Sequence, residues 1–97
     1  MQATMETIGK RLQWVRGLVG LSAREVDRLA GLTENHTRAI ETKYDDRAQV
    51  STVGKIAETL GVNASWLAYG EGEPPTKETV QSAVDKARTA LAQPVSP

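Results

Sequence analysis

The sequence predicts an all-α fold of six helices. No stretch alternates apolar and polar residues for long, so the pattern of a half-buried strand is missing. Apolar residues instead recur at intervals of three and four, which is the spacing of one helix face. Glycines and helix-capping residues divide the chain into segments of helical length. The 97 residues are enough for one small domain.

The first helix is predicted over residues 4–19. Four apolar side chains follow its inner face: Ile8, Leu12, Val15 and Val19. Gly20 should end this helix, because glycine adopts the left-handed backbone that often follows a helix. Trp14 and Leu18 form a second apolar stripe one turn apart, and we interpret both Trp14 and Trp66 as packing residues.

The second and third helices are short and differ in character. Ser22 and Glu25 have the spacing of a capping box at the start of the second helix, and Gly31 follows its end. Thr33 is predicted to cap the third helix. The third helix has few apolar residues, chiefly Ala39 and Ile40. It can therefore bury only a thin edge, and its other face is free to meet a polar partner.

Three further helices follow a charged loop at 44–49. Ser51 is predicted to cap a fourth helix, with apolar residues at Val53, Ile56, Ala57 and Leu60. Asn63 should cap a short fifth helix. Thr76 should cap a sixth helix that reaches about residue 92, and residues 93–97 are expected to form a disordered tail. The sixth helix has a narrow apolar seam: Val80, Ala83, Val84, Ala87 and Leu91.

Composition excludes several function classes. The chain has no cysteine and a single histidine, His36, so thiolate sites and multi-histidine metal sites are impossible. No nucleophile–base arrangement or phosphate-binding loop is visible, so we expect neither an enzyme nor a cofactor. No apolar run approaches the roughly 18 residues that a membrane span requires. We expect a soluble, cytoplasmic protein. Its net charge of zero is unusual for a nucleic-acid binder.

Residues 22–41 have the arrangement of a helix-turn-helix, in which two short helices are joined by a turn that contains glycine. In this motif the second helix lies in the DNA major groove. The polar side chains of that helix read base edges, and flanking groups hold phosphates.

Three segments carry a resemblance to a known family: LSAREVDRLAGLTENHTRAIE (21–41), KIAETLGV (55–62) and WLAYGEG (66–72). In this order they resemble the phage-repressor and Cro-type (XRE) helix-turn-helix family. The resemblance covers roughly residues 7–73. It implies a compact five-helix, lambda-repressor-like DNA-binding domain over residues 4–73. The C-terminal helix at 76–92 lies beyond the resemblance, and from its apolar seam we expect it to serve packing or dimerisation.

The resemblance also implies which residues contact DNA. Arg38 would pair with a guanine edge, Asn35 with an adenine edge, and Glu34 with the amino group of cytosine. Lys43 and Arg47 would hold phosphates. The expected DNA-binding residues are Ser22, Arg24, Thr33, Glu34, Asn35, His36, Arg38, Thr42, Lys43 and Arg47.

Other positions concern the internal structure of the motif. Arg16 and Glu41 match a pair that the family uses as an internal salt bridge. Ala23 stands where the family usually has a DNA-anchoring glutamine. Asp27 and Thr37 stand where the family has apolar residues in contact between the two helices. Since a buried carboxylate needs a partner, we hypothesise that Asp27 accepts a hydrogen bond from Thr37 or a nearby side chain.

The resulting function is a sequence-specific regulator of transcription that binds double-stranded DNA. A repressor acting as a homodimer on an inverted repeat is the preferred form. One alternative is the antitoxin of a toxin–antitoxin pair, with residues 76–92 binding the partner protein. Another is a protein-interaction module derived from the motif that no longer binds DNA. The zero net charge, Ala23 and Glu34 favour this last alternative.

Overall fold

The computed structural model of the protein describes residues 7–33, 35–42 and 50–92. In these ranges the regular structure is entirely helical, which confirms the all-α prediction. The helices are α1 (Ile8–Val19), α2 (Ala23–Leu29), α3 (His36–Thr42), α4 (Val50–Leu60), α5 (Ala64–Tyr69) and α6 (Lys77–Ala92). None of them combines the length and apolar character that crossing a bilayer requires.

The helix ends agree with most of the predicted caps. The side chains of Ser22, Asn63 and Thr76 accept hydrogen bonds from the amides of Glu25, Ser65 and Thr79, respectively. α1 begins later than predicted, at Ile8, because the Thr7 side chain caps it by accepting from the Lys10 amide. The residues before Thr7 lie outside the described part of the chain.

Two predicted caps are wrong. Ser51 lies inside α4, which begins at Val50. Thr33 does not cap α3, because that helix begins three residues later, at His36. Both predictions relied on a local signal, a small hydroxyl side chain before an apolar run. The start of α3 depends instead on a contact with α2.

The core combines the apolar faces predicted for α1 and α4 with side chains from every other helix. Leu12, Val15, Ile56 and Leu60 are fully buried at its centre. The remaining buried apolar residues are Ile8, Leu21, Val26, Leu29, Ile40, Val53, Ala57, Val62, Trp66, Leu67, Val80 and Val84. Because α3 contributes only Ile40 to this apolar set, most of its surface lies outside the core.

The C-terminal helix packs on the same core. α6 lies against α1, α2 and α4. Val80 and Val84 are fully buried, Ala87 is partly buried, and Leu91 is about half exposed. The first half of the apolar seam is therefore used within the chain. Trp14 lies at the edge of the core, with its ring centre 5.9 Å from that of the buried Trp66. Residues 93–97 lie outside the described part.

Candidate nucleic-acid interface

α2 and α3 form a closely connected pair. α2 ends where the Leu32 amide donates to the carbonyl of Asp27 (2.8 Å), and Gly31 adopts a left-handed backbone with φ +74°. A residue with a side chain would be strained at this φ, which explains the glycine in the turn. α3 packs against both α2 and α1. The two helices of the predicted motif are thus present and in contact.

The segment before α3 has an unusual backbone. Asn35 has φ +74°, which makes it the one residue other than glycine with a left-handed backbone in the described ranges. Its carbonyl accepts the first hydrogen bond of the helix, from Ala39 (3.0 Å). The Thr33 hydroxyl, predicted to cap α3, is instead 2.9 Å from Nε2 of His36. Thr33 and Asn35 consequently lie in the turn, directly before the helix.

The hypothesis about Asp27 is confirmed. Oδ1 of Asp27 accepts two hydrogen bonds, from the Thr37 amide (2.9 Å) and from the Thr37 hydroxyl (2.7 Å). Asp27 is 3% exposed and Thr37 is fully buried. The two polar residues therefore satisfy each other in the interior: Thr37 supplies two hydrogen-bond donors, and Asp27 supplies the acceptor.

A small cleft lies between α2 and the start of α3. The cleft has a volume of about 200 Å³ and is lined by Ala23, Arg24, Asp27, Asn35 and Arg38. Arg24 and Arg38 are both exposed. Within the described part of the chain, neither arginine forms an ion pair. By contrast, Arg28 on α2 is paired with Glu25 at 3.2 Å. The cleft therefore presents two exposed guanidinium groups that form no ion pair with another described residue, although the buried Asp27 carboxylate lines the same cleft.

The remaining predicted DNA-contacting residues differ in whether their hydrogen-bonding groups are already engaged within the protein. The Ser22 hydroxyl accepts from the Glu25 amide, so its own hydrogen is not used in that bond. The Thr42 hydroxyl donates to the Arg38 carbonyl at 2.8 Å, so its hydrogen is already engaged. His36 is half-buried. Glu34, Lys43 and Arg47 lie outside the described residues.

A buried ion pair attaches the end of α3 to α1. Nε and one terminal nitrogen of Arg16 donate to the two carboxylate oxygens of Glu41 at 2.7 and 2.8 Å. The other terminal nitrogen donates to the Leu21 carbonyl at 2.7 Å. This confirms the pair that the resemblance implied. The hydrogen bond with Glu41 raises the pKa of Arg16 above its usual range, although burial acts in the opposite direction.

Sequence reasoning missed one buried charged residue. Arg11 is 5% exposed, and its Nε and one terminal nitrogen donate to the carbonyls of Leu67 and Ala68, each at 2.8 Å. These are carbonyls near the end of α5, so Arg11 connects α1 to α5. In the sequence, the burial of Arg11 was indicated by its position three residues after Ile8, which places it on the inner face of α1. A charged residue on an apolar stripe indicates a buried partner.

Three curated proteins are similar to this chain. They are the HTH-type transcriptional regulators for conjugative elements R391 (Providencia rettgeri), SXT (Vibrio cholerae) and pMERPH (Shewanella putrefaciens). Each is 35% identical over 69 residues, which is 71% of this chain and 31% of the relative. The match thus spans about a third of the length of these relatives. No family model matches the chain, and no solved structure matches it significantly.

Proposed function

We propose that this protein is a sequence-specific regulator of transcription that binds double-stranded DNA, of the phage-repressor type. The observation that carries the proposal is the cleft between α2 and α3, where Arg24 and Arg38 are exposed and form no ion pair with another described residue. Guanidinium groups of this kind recognise phosphates and guanine edges. The names of the three relatives support the same class of function.

The mechanism follows from the placement of α3. In the complex, α3 and the turn before it enter the major groove, which is about 12 Å wide and admits one helix. Arg38 and Asn35 contact base edges. Ser22 and Arg24, at the start of α2, contact the phosphates that flank the groove. Thr33 and Glu34 also contribute to sequence reading and His36 reaches a phosphate. Contacts with the DNA backbone are assigned to Thr42, Lys43 and Arg47.

The preferred form is a homodimer that represses transcription from an inverted repeat in the cytoplasm. Two copies of α3 then enter successive major grooves, with half-site centres about 10 bp apart or a multiple of this. Residues 4–73 form the DNA-binding domain. α6 stabilises that domain through Val80 and Val84, which are fully buried against it. The protein acts by binding and carries out no chemical reaction.

The experiment that tests the function is selection of sheared genomic DNA by the purified protein, at about 150 mM salt to approximate physiological screening. We expect one enriched sequence motif containing an inverted repeat. Recovery of random fragments, or of none, would contradict the proposal. Co-purification of a stoichiometric protein partner would favour the antitoxin alternative, with residues 76–92 as the first region to test for contact.

Replacing Arg38 with alanine should weaken binding to the selected sequence by about 1–3 kcal/mol, or roughly 5- to 150-fold in Kd. The loss should coincide with relaxed preference at one base pair, because a base-reading contact is removed. Arg28→Ala is the matched control, since it removes the same charge from an exposed arginine that is paired with Glu25. Titration of fluorescent duplexes carrying each base substitution measures both effects.

Lys43→Ala should behave differently from Arg38→Ala. A phosphate contact is insensitive to sequence, so this variant should weaken binding to every duplex alike and flatten the salt dependence of Kd. Equal losses on selected and random DNA for Arg38→Ala would contradict its assignment as a base-reading residue.

A further inference from the structure

The start of α3 is held by a residue from another helix. A capping side chain ordinarily belongs to the residue before the helix, which has an extended backbone and accepts from the second or third helical amide. Asn35 occupies that position here, but its φ of +74° is left-handed. The Thr33 hydroxyl is engaged with His36.

Asp27 performs this capping role from α2. Since α3 begins at His36, Thr37 is its second residue, and its amide is one that a local cap would bind. The Asp27 carboxylate accepts from this amide and from the hydroxyl of the same residue. Its negative charge also lies at the end of the helix where the backbone dipole favours an anion.

α3 packs against α1 and α2, but few of its own side chains are buried there. The helix has seven residues, a length that is unstable in isolation, and its buried residues are Thr37 and Ile40, together with the side chain of Glu41. Its far end is held by Glu41 through Arg16. Its N-terminal end, which follows Asn35 and includes Arg38, is held by Asp27. Asp27 also lines the cleft in which the Arg24 and Arg38 side chains lie.

We propose that Asp27 is the positioning residue for base reading: by capping α3 from α2, it fixes the place and direction from which Asn35 and Arg38 reach the bases. This inference rests on the proposed DNA-binding function. Asp27 itself contacts no base. Its removal should reduce discrimination between DNA sequences more than it reduces general attraction to DNA, because phosphate contacts tolerate small displacements that bidentate base contacts do not.

The decisive comparison is between Asp27→Ala and Asp27→Asn. Both remove the negative charge, but only asparagine retains an oxygen that can accept from the Thr37 amide and hydroxyl. The measured quantity is the ratio of Kd for random DNA to Kd for the selected sequence. We expect this ratio to fall about tenfold in Asp27→Ala and to stay within about threefold of wild type in Asp27→Asn.

Gly61→Ala controls for a general loss of stability. It should destabilise the protein at the contact between α4 and α6, because the added Cβ would meet atoms of Thr79 and Ala83, neither of which lines the cleft. The ratio should be unchanged in this variant, measured at a temperature where circular dichroism shows every variant to be folded. An unchanged ratio in Asp27→Ala, an equal fall in Asp27→Asn, or an equal fall in Gly61→Ala would each overturn the proposal.

Hydrogen exchange separates failure of this inference from failure of the proposed function. In DNA-free protein, Asp27→Ala should lose amide protection at Thr37 and along α3, while α1 keeps its protection and Asp27→Asn retains both. If the wild-type protein does not discriminate between DNA sequences, the proposed function fails and the exchange result alone decides whether Asp27 holds α3. Unchanged protection of α3 in Asp27→Ala would overturn the positioning role whatever the DNA result.

Discussion

Replacing Arg16 with alanine is expected to lower the free energy of unfolding by about 3–5 kcal/mol, the range for breaking a buried ion pair. The Glu41 side chain is only 4% exposed and accepts two hydrogen bonds from Arg16. Without Arg16, this carboxylate would be left charged in the interior. The Leu21 carbonyl would also lose its donor. Urea unfolding followed by circular dichroism measures the loss.

The substitution of the partner, Glu41→Ala, should lower the free energy of unfolding by less than Arg16→Ala does. In Glu41→Ala the Arg16 guanidinium remains, but it is 22% exposed and keeps the Leu21 carbonyl as an acceptor. Water can therefore solvate part of the charge, and we expect a loss of about 2–3 kcal/mol. Equal losses for the two single variants, or a larger one for Glu41→Ala, would contradict this account. The double variant Arg16→Met, Glu41→Leu should recover much of the loss, because no charge remains buried.

The pH dependence of this pair has a definite sign. Arg16 has a raised pKa in the folded protein, through its hydrogen bond with Glu41. A group whose pKa rises on folding contributes its full stability below the unfolded pKa, and the contribution is lost only as pH rises through the folded value. Since the unfolded value is that of an ordinary arginine, deprotonation of Arg16 should not reduce stability anywhere in the neutral or moderately alkaline range.

Replacing Gly61 with alanine is expected to lower the free energy of unfolding by about 2–4 kcal/mol, from two effects. Gly61 has φ +69°, which strains any residue with a side chain. An added Cβ would also lie 2.6 Å from Cβ of Ala83 and 3.3 Å from the Thr79 carbonyl oxygen. α6 would have to move away from the end of α4 to admit it.

Gly31→Ala separates the two effects. Gly31 has a similar φ of +74°, but nothing lies within 4 Å of its added Cβ. In this variant only the added backbone strain should lower the free energy of unfolding, by about 1–2 kcal/mol. The excess loss in Gly61→Ala then measures how tightly α6 packs on the domain. If parallel urea titrations give equal losses of unfolding free energy for the two variants, α6 can move aside without a loss of stability. That result would contradict close packing of α6 against Gly61.

Local sequence signals determined most of the helices. The spacing of Leu12 and Val15, and of Ile56 and Leu60, predicted the faces of α1 and α4 that form the centre of the core. Such spacing is informative because a helix that buries one face must repeat its apolar residues every three or four positions. Caps such as Ser22 and Asn63 were predictable for a similar reason, since a helix start needs acceptors from its own neighbourhood.

Only the tertiary structure decided what holds α3 and where it begins. Thr33 has the local signal of a cap, yet the helix starts at His36 because Asp27, ten residues before Thr37, supplies the acceptor from α2. The sequence alone indicated that Asp27 needed a partner, and it could not show that the partner is a helix end. Arg11 required the structure as well, because its acceptors are carbonyls of α5, 56 and 57 residues away. Local energetics therefore determined which segments are helical, while contacts between distant residues determined how the candidate DNA-reading helix is positioned.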